Sequence, residues 1–439
     1  MDSDRIADAL WSKNVGPLPG GSAVRSTGWL DHYDRIAETV ESFELRWHER
    51  GPRFDTTVLI GMGGSTSGAG MLAQQFGKGK LTFAESTHPD MVATYDFTNS
   101  NVIASSKSGR TLEVVALLAH ALSQGLSPRD LWVITDEGTS LHELAISLGA
   151  EVTFGDSDTG GRFSALSAFG ILPAIASGAS TSSLLEGSSE VFTRDEYFEI
   201  CRQAIDSIVV RSESLTYVLP GLPTVRGAGQ WMEQLIAEST GKAGRGIIPV
   251  AQDETSTSTL SLREIHRTHL VATALACYLD VNPFDQPNVE ESKTNLYAAL
   301  SGRTSPFTES TTAEEFLNAI SGVEHVTLQC FVPEAEINLV EKLRQQLASL
   351  APVVTANYGP RYLHSTGQLH KGGPASIAAL QICQNPLVEP FRITGRAYSF
   401  ETLLKAQQES DAQTLRRLDR KVHTLRVDSI SEVVAMLGI

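Results

Sequence analysis

The sequence predicts an α/β protein with two doubly wound domains, each a parallel sheet flanked by helices. Three observations support this fold class. The chain has 439 residues, more than the roughly 250–300 at which a single hydrophobic core stops growing. Short apolar runs typical of buried strands alternate with stretches of helical periodicity. The first run, residues 56–64, ends in glycines, as a parallel strand does where it enters a turn before a helix.

The elements of the first domain follow this alternation. Residues 1–40 predict a helical lead-in, and residues 41–185 predict the first domain. Four further strand-like runs lie at 81–86, 101–106, 131–135 and 150–154. Helical stretches at 111–122 and 140–150 separate several of them. The order of elements is that of a doubly wound sheet.

A polar segment without periodicity, residues 177–189, predicts the domain junction. The second domain is predicted over 186–385 and a helical tail over 386–439. Its strand-like runs lie at 215–221, 246–250, 325–332 and 352–359, and its helices near 226–240, 264–280 and 335–350. Residues 398–425 carry many charges, with apolar residues at helical spacing, which predicts a peripheral helix.

Composition limits the environment and the partners of the protein. The N-terminus is acidic where a signal peptide is basic, and no apolar stretch approaches the ~20 residues that span a bilayer. We therefore expect a soluble, cytoplasmic protein that binds no membrane. The net charge of −16 argues against nucleic-acid binding. The cysteines form no CxxC pair, and we expect buried, reduced thiols at Cys201, Cys277, Cys330 and Cys383.

Two loops carry residues suited to binding an anion. Gly64 and Ser65 follow the first strand, where backbone N–H groups can approach an anion at a helix N-terminus. Thr66 replaces the glycine of a dinucleotide fingerprint, and the GK[ST] ending of a P-loop is absent from the sequence. A tight strand-to-helix turn is the alternative interpretation.

The loop after the third strand is richer in phosphate-binding groups. It contains Ser106, Lys107, Ser108, Arg110 and Thr111 immediately before a helical stretch. Hydroxyls, N–H groups and cations at a helix N-terminus suit a monophosphate. A helix cap followed by surface charges would use the same residues. Two such loops on neighbouring strands favour a phosphate site, because ligands of open α/β sheets bind at the carboxyl ends of strands.

These loops resemble the phosphosugar-binding (sugar isomerase, SIS) motifs of the glucose-6-phosphate isomerase family. Four further stretches resemble that family: Gly160–Ser164 (GGRFS), Gln234–Lys242 (QLIAESTGK), Asn282–Lys293 (NPFDQPNVEESK) and Leu363–Gln368 (LHSTGQ). The resemblance implies two SIS-type domains. It also implies reversible conversion of glucose 6-phosphate to fructose 6-phosphate through ring opening and a cis-enediol, as in glycolysis and gluconeogenesis.

The order of the motifs departs from the usual family pattern. The histidine motif, which usually precedes the segment from Gln286 to Lys293, comes last here. This order resembles the isomerase half of bifunctional transaldolase/glucose-6-phosphate isomerase proteins. Arg361 and Tyr362 stand where many relatives have an acid, so the sequence leaves open what orients His364.

The resemblance implies a role for each motif residue. Glu238 would be the base that moves the proton, His364 would open the sugar ring, Lys293 would exchange a proton at the ring oxygen, and Arg162 would stabilise the enediolate. The implied substrate-binding residues are Gly64, Ser65, Ser106, Lys107, Ser108, Thr111 and Gln286. No metal or cofactor is implied, and a homodimer is expected.

Structural alternatives remain for these residues. Glu238 could be a polar residue at a helix end, Lys293 a surface lysine, and Arg162 a loop residue paired with Asp156 or Asp158. Among the other histidines, His266 and His269 lie three apart on a predicted helix, as surface residues or as part of a metal site without a recognisable third ligand; His370 is a further candidate.

Two other functions would use some of the same residues. A noncatalytic phosphosugar-binding module would need the phosphate loops but would have no reason to keep Glu238, His364 and Lys293 together. An amidotransferase-type phosphosugar isomerase would share the first loop, although the other motifs point away from it.

Overall fold

The computed structural model describes residues 1–21, 26–210, 216–219, 228–250, 259–301, 312–389 and 391–438. The chain forms two compact units. Unit 1 comprises Met1–Glu85 and Asp96–Asp285, and unit 2 comprises Ser86–Tyr95 and Gln286–Ile439. Each unit contains a parallel sheet with helices against it, so the predicted fold class is confirmed.

The main sheet of unit 1 has five parallel strands: β1 (Thr56–Ile60), β2 (Lys80–Ala84), β3 (Asn101–Ser105), β4 (Leu131–Thr135) and β5 (Glu151–Phe154). All five coincide with predicted runs. The central strands β3 and β4 are buried throughout, which explains their continuous apolar sequence. The order is β2-β1-β3-β4-β5, so the direction of winding changes between β1 and β3. Ligands of doubly wound sheets bind at such a switch point.

Unit 1 also contains a three-stranded sheet of β6 (Val209–Val210), β7 (Thr216–Leu219) and β8 (Gly246–Pro249). Strands β6 and β7 are antiparallel, whereas β7 and β8 are parallel. The sequence predicts β7 and β8 correctly, but the predicted domain boundary assigns them to the second domain. Residues 215, 220 and 221 of the predicted strand and 226 and 227 of the predicted helix lie outside the described residues.

The division between the units lies at Asp285, far beyond the predicted junction near residue 185. The reason is the hydrophobic core of unit 1, which is continuous across that junction. Leu235 and Leu275 belong to the same buried cluster as Leu59 and Ile171. The polar segment 177–189 is therefore a connection within unit 1.

The sheet of unit 2 has four parallel strands: β9 (His325–Phe331), β10 (Val353–Tyr358), β11 (Ile377–Gln384) and β12 (Lys421–Val427). Their order is β10-β9-β11-β12. Strands β9 and β10 coincide with predicted runs, whereas β11 and β12 have no counterpart among the predicted strands. The predicted peripheral helix over 398–425 is wrong at the C-terminal end, because the helix stops at Arg417 and Asp419 turns the chain with φ +55°. Strand β12 then pairs with β11 and extends the sheet.

Helices cover these sheets. In chain order they are α1 (Ser3–Trp11), α2 (Trp29–His32), α3 (Ile36–Arg50), α4 (Ser67–Phe76), α5 (Pro89–Val92), α6 (Leu112–Ser123), α7 (Ser140–Leu148), α8 (Ala168–Ala176), α9 (Thr181–Leu184), α10 (Arg194–Asp206), α11 (Ala228–Thr240), α12 (Leu262–Tyr278), α13 (Val289–Leu300), α14 (Ala313–Ile320), α15 (Ile337–Leu347), α16 (Gly367–Gly372), α17 (Phe400–Arg417) and α18 (Ile430–Leu437). Short 3-10 helices occur at Gly63–Ser65, Pro128–Asp130, Gly161–Leu166, Glu334–Glu336 and Arg361–His364. Within the described ranges, every helix is too short or too polar to cross a bilayer. The four cysteines are free and buried, as predicted.

Helix α17 is part of the interior of unit 2, not a peripheral element. Its apolar side chains Phe400, Leu403 and Leu404 are buried. Several polar side chains of the helix are buried as well, among them Gln407 and Asp411. The predicted tail is therefore needed for the core of this unit.

Replacing Leu403 with alanine tests this placement. Leu403 is fully buried (0% exposed), and we expect Leu403→Ala to lower the free energy of unfolding by about 2–5 kcal/mol, the usual cost of removing a buried leucine. Leu387→Ala is the matched control, because that leucine is 81% exposed; it should change stability by less than about 0.5 kcal/mol. Urea unfolding of the full chain measures both. Equal, small effects would mean that α17 is peripheral after all.

Candidate functional site

The loop after β1 lies against the segment that carries Arg162, backbone to backbone. A Cβ atom on Gly64 would lie 2.2 Å from the carbonyl oxygen of Gly161, so only glycine fits there. The Ser164 hydroxyl donates to the carbonyl of Gly64 over 3.1 Å. Ser65 is buried and closes the turn before α4. The structure thus brings together two of the motifs that the sequence analysis identified.

Gln234 connects the start of α4 with Glu238. The Ser67 hydroxyl, in the first turn of α4, donates to Gln234 Oε1 over 2.6 Å. The amide nitrogen of Gln234 in turn lies 3.4 Å from Glu238 Oε1. Because Gln234 and Glu238 are one helical turn apart on α11, they share a face of that helix. The loop after β1 and the candidate base therefore belong to one hydrogen-bonded arrangement.

The loop after β3 presents its hydroxyl groups differently. The buried Ser106 hydroxyl lies 2.9 Å from the Thr111 hydroxyl, immediately before α6. Ser108 and Arg110 are exposed. Gly109 has φ +62°, and a Cβ atom there would lie 2.6 Å from Thr139. This turn brings Ser106 and Thr111 together in front of the helix N-terminus, beside the loop that follows β1.

Lys107 points to an acid of the neighbouring strand. Its ammonium group lies 2.6 Å from Asp136 Oδ2 and donates to the backbone carbonyl of Asp156 over 2.8 Å. Asp136, which follows the end of β4, is not among the site residues predicted from the sequence. A bound phosphate would have to compete with this carboxylate for the lysine, so the loop's hydroxyl and N–H groups are better placed for direct contact.

Arg162 and Glu238 form a buried ion pair at the end of α11. Arg162 Nε lies 3.1 Å from Glu238 Oε2, and the side chains are 2% and 3% exposed. Arg162 Nη1 also donates to the backbone carbonyls of Glu238 (2.7 Å) and Pro283 (2.8 Å), and Nη2 donates to that of Asp285 (3.1 Å). These contacts occupy most of the N–H groups of the guanidinium. They hold the candidate base in one position.

The structural alternative considered for Arg162 does not agree with the structure, whereas Glu238 does lie in the last turn of α11, as its alternative predicted. Arg162 is buried rather than exposed, and its carboxylate partner is Glu238. Asp156 pairs instead with His32, whose Nε2 lies 3.2 Å from Asp156 Oδ2. Asp158 accepts a hydrogen bond from the Thr27 hydroxyl. Burial lowers the pKa of Arg162, and the negative charge of Glu238 opposes that shift.

Lys242 is a second buried basic residue in this region, and it has no role among the predictions from the sequence. It is 4% exposed. Its ammonium group donates to the backbone carbonyls of Ser239 (3.0 Å) and Asn282, and it lies 3.5 Å from Asp285 Oδ1. Burial lowers its pKa to about 7. A buried lysine of this kind joins α11 to the 282–285 segment, as Arg162 does.

The remaining predicted site residues belong to unit 2. His364 ends the 3-10 helix Arg361–His364 and is half-buried, as is Gln286. Lys293 is exposed on α13. Asn288 and Gln368 join the two motifs: the Asn288 N–H donates to Gln368 Oε1 (3.2 Å), and Gln368 Nε2 donates to Asn288 Oδ1 (2.8 Å). The segments of Lys293 and His364 are therefore linked although they lie far apart in sequence.

The alternative histidines occupy apolar or hydrogen-bonded positions in the interior. His266 and His269 are buried, not on the surface, and pack against Trp29. His370 is also buried and contacts Gln329 Nε2 over 3.0 Å. Among the described residues, no group of three or more His, Cys, Asp or Glu side chains is arranged to hold a metal ion.

The chain is similar to several bacterial glucose-6-phosphate isomerases, so the resemblance indicated by the motifs is confirmed. It is 30% identical to the Campylobacter jejuni protein over 217 residues, which cover 44% of this chain and 53% of that one. It is 28% identical to a Streptococcus thermophilus protein over 290 residues, 56% of this chain and 61% of that one. The chain thus spans little more than half the length of these relatives. No protein-family model matches it.

Solved structures give a weaker comparison. A crystal structure of a glucose-6-phosphate isomerase from Chlamydia trachomatis matches with a TM-score of 0.31 and 15% identity, covering 99% of this chain and 71% of that one. A TM-score this low adds no support for a function. The particular likeness to bifunctional transaldolase/isomerase proteins stays a prediction.

Substituting Gly64 tests the contact between the two loops. We expect Gly64→Ala to destabilise the protein by at least about 1–3 kcal/mol, because the new methyl group would overlap the Gly161 carbonyl oxygen. Gly161→Ala is the matched control: among the described residues, a Cβ atom there meets nothing within 4 Å. Thermal unfolding measures both variants. If both were as stable as the unsubstituted protein, the close approach at Gly64 would be wrong.

The buried lysine predicts a specific dependence of stability on pH. Burial and the charge of Arg162 lower the pKa of Lys242 from 10.5 to about 7, against the opposing effect of Asp285 and Glu238. Between these two pH values the unfolded chain binds more protons at this lysine than the folded chain, so this lysine makes stability rise with pH. Lys242→Met should reduce the slope by up to about one proton, or about 1.4 kcal/mol per pH unit.

Urea unfolding at several pH values between these limits measures that slope. Lys78→Met, which removes an exposed lysine of unit 1, is the control and should keep the slope of the unsubstituted protein. An unchanged slope in Lys242→Met would show that Lys242 keeps its ordinary pKa in the folded state.

Proposed function

We propose that this chain is a glucose-6-phosphate isomerase, which interconverts glucose 6-phosphate and fructose 6-phosphate through ring opening and a cis-enediol. The observation that carries the proposal is the buried Arg162–Glu238 pair. It occurs in the same unit as two glycine- and serine-rich loops at the switch point of a parallel sheet. The similarity to bacterial proteins named glucose-6-phosphate isomerase supports the same activity.

In this proposal the two loops of unit 1 bind the phosphate group. Ser106 and Thr111 offer adjacent hydroxyls before α6. Before α4, Gly64 offers a backbone N–H group and Ser65 its hydroxyl, because the Ser65 N–H donates to the Met62 carbonyl over 3.1 Å. Helix N-termini favour a negative charge. Lys107 adds a cation that is shared with Asp136, and the exposed Ser108 lies at the edge of the same loop.

Glu238 is proposed to move the proton. The carboxylate accepts the proton from C2 of the open-chain aldose and returns it to C1, while the hydroxyl proton of O2 passes to O1. The enediol thus forms and collapses to the ketose without net change in the enzyme. A base must hold its geometry to within a fraction of an ångström for efficient transfer. The contacts of Arg162 and Gln234 with the two carboxylate oxygens supply this restraint. The positive charge of Arg162 also favours the negative enediolate.

The roles of the unit 2 residues rest on the motif resemblance. His364 is proposed to open the ring, because an imidazole donates or accepts a proton near neutral pH. Lys293 exchanges a proton at the ring oxygen, and Gln286 contacts the sugar. The reaction moves a proton without an electron acceptor, so no cofactor enters the proposal. We also propose a cytoplasmic homodimer that acts in glycolysis and gluconeogenesis.

A coupled assay with fructose 6-phosphate tests the activity directly. We expect the purified protein to form glucose 6-phosphate without glutamine, ammonia or nucleotide. Glu238→Gln should lower kcat by about 10²–10⁴-fold, because an amide cannot accept the proton. It should also abolish incorporation of solvent deuterium at C2.

Glu233→Gln is the matched control, since Glu233 lies on the same helix and is only half-buried; it should keep most of the activity. A protein that binds the phosphosugar without turnover would be a noncatalytic SIS module, and dependence on glutamine would indicate the amidotransferase-type reaction. Either result would overturn the proposed function, as would full activity in Glu238→Gln.

A further inference from the structure

A fully buried ion pair lies next to the segment of unit 2 that carries His364. Lys371 Nζ on α16 is 2.5 Å from Asp411 Oδ1 on α17, and neither side chain is exposed to solvent. Removing both charges from water costs several kcal/mol for each ion, and a pair of apolar residues would often be as stable. The pair therefore calls for an explanation other than stability.

The second oxygen of the same carboxylate reaches the 3-10 helix of His364. Tyr362, two positions before His364, donates its buried hydroxyl to Asp411 Oδ2 over 2.7 Å. Gln381 Nε2, from the central strand β11, donates to the same oxygen over 3.0 Å. The carboxylate is thereby fixed to the sheet as well as to the helix.

Lys371 connects Asp411 to the residues that follow His364 in the chain. Its ammonium group, besides pairing with Asp411, donates to the backbone carbonyl of Gly367 over 3.4 Å. Gly367 is the first residue of α16, three positions after His364. One carboxylate thus reaches residues on both sides of His364, through Tyr362 on one side and Lys371 on the other.

We propose that Asp411 is a positioning residue for His364: it fixes the 362–367 segment so that the imidazole is held for ring opening. The proposal rests on the proposed function and deepens it. It also answers the question that the sequence left open, since the position before Leu363 carries Tyr362 instead of an acid. The acid comes from α17, far along the chain, and acts through that tyrosine.

Two variants test this role, and they differ in how much they are expected to disturb folding. Tyr362→Phe removes the hydroxyl that contacts Asp411, together with its longer contacts to Gln329 Oε1 (3.2 Å) and Gln381 Nε2 (3.3 Å). Asp411→Asn keeps an oxygen for that hydroxyl and removes the charge. Thr87→Val is the matched control, because it too removes one buried hydroxyl that donates to a side chain of α17, that of Gln407 (2.7 Å), at another place in unit 2.

The expected phenotype is that of a displaced His364. With cyclic glucose 6-phosphate, Tyr362→Phe and Asp411→Asn should lower kcat by about 10- to 100-fold with little change in KM, since a small misplacement of a catalytic group has effects of this size. With an acyclic aldose phosphate that cannot close a ring, the loss should be much smaller. Adding His364→Ala to either variant should lower kcat no further than His364→Ala alone. Thr87→Val should behave as the unsubstituted protein.

The imidazole resonance of His364, recorded by NMR on histidine-labelled protein and identified by its loss in His364→Ala, gives a readout independent of activity. It should shift in Tyr362→Phe and Asp411→Asn and stay in place in Thr87→Val. Unchanged kcat and an unchanged resonance, additive losses with His364→Ala, or equal losses on both substrates would overturn the positioning role. If the unsubstituted protein had no isomerase activity, the proposed function would fail, and the resonance would still decide whether Asp411 sets the environment of His364.

Discussion

A buried guanidinium needs more hydrogen-bond acceptors than one carboxylate can supply, and this requirement organises the candidate site of unit 1. Arg162 meets it with Glu238 Oε2 and with the backbone carbonyls of Glu238, Pro283 and Asp285. Each acceptor lies on a different part of the chain from Arg162 itself, so satisfying the cation fixes the end of α11 against the 282–285 segment. Lys242 connects the same two segments, because its ammonium group donates to the backbone carbonyls of Ser239 and Asn282. The position of Glu238 follows from burying these two side chains, since their N–H donors would otherwise lack acceptors.

The same reasoning applies in unit 2 with the charges reversed. Asp411 is a buried carboxylate that needs donors, and it finds them in Lys371, Tyr362 and Gln381. Those donors come from α16, the 3-10 helix and β11. The helix α17 is therefore required in the interior for its polar side as well as for its apolar one. In each unit, a residue with a proposed chemical role stands beside a buried charge whose partners are spread over several elements, which limits how far that residue can move.

Much of the fold follows from local sequence, and the errors have identifiable causes. Strands β1, β3 and β4 are predictable because both faces of the sheet are covered there, so these strands are apolar runs. The edge strands β2 and β5 are partly exposed, and their short strand-like runs are recognisable from the alternation with helices. An apolar run predicts a strand but not the sheet to which that strand belongs. For this reason the sequence assigns β7 and β8 to the second domain, although they lie in unit 1. Strand β11 was missed because its apolar run contains Gln381, and β12 because charged residues around it continue the helical pattern. At the site, motifs identified Arg162 and Glu238 as individual residues. The Asp136 partner of Lys107 and the role of Asp411 depend on contacts between distant segments, which one sequence does not reveal.

The unusual order of the motifs is less disruptive than it looks in the sequence. The segment of Lys293 and the segment of His364 are joined by the reciprocal hydrogen bonds of Asn288 and Gln368, whichever comes first along the chain. A parallel sheet presents the loops after its strands at one edge, so a motif can follow a different strand and still be near the same neighbours. What the histidine segment lacks is support from an acid beside His364 in the sequence, because Arg361 and Tyr362 stand there. The carboxylate of Asp411 supplies that support from a helix near the end of the chain, and this is the reason the histidine segment depends on the C-terminal region.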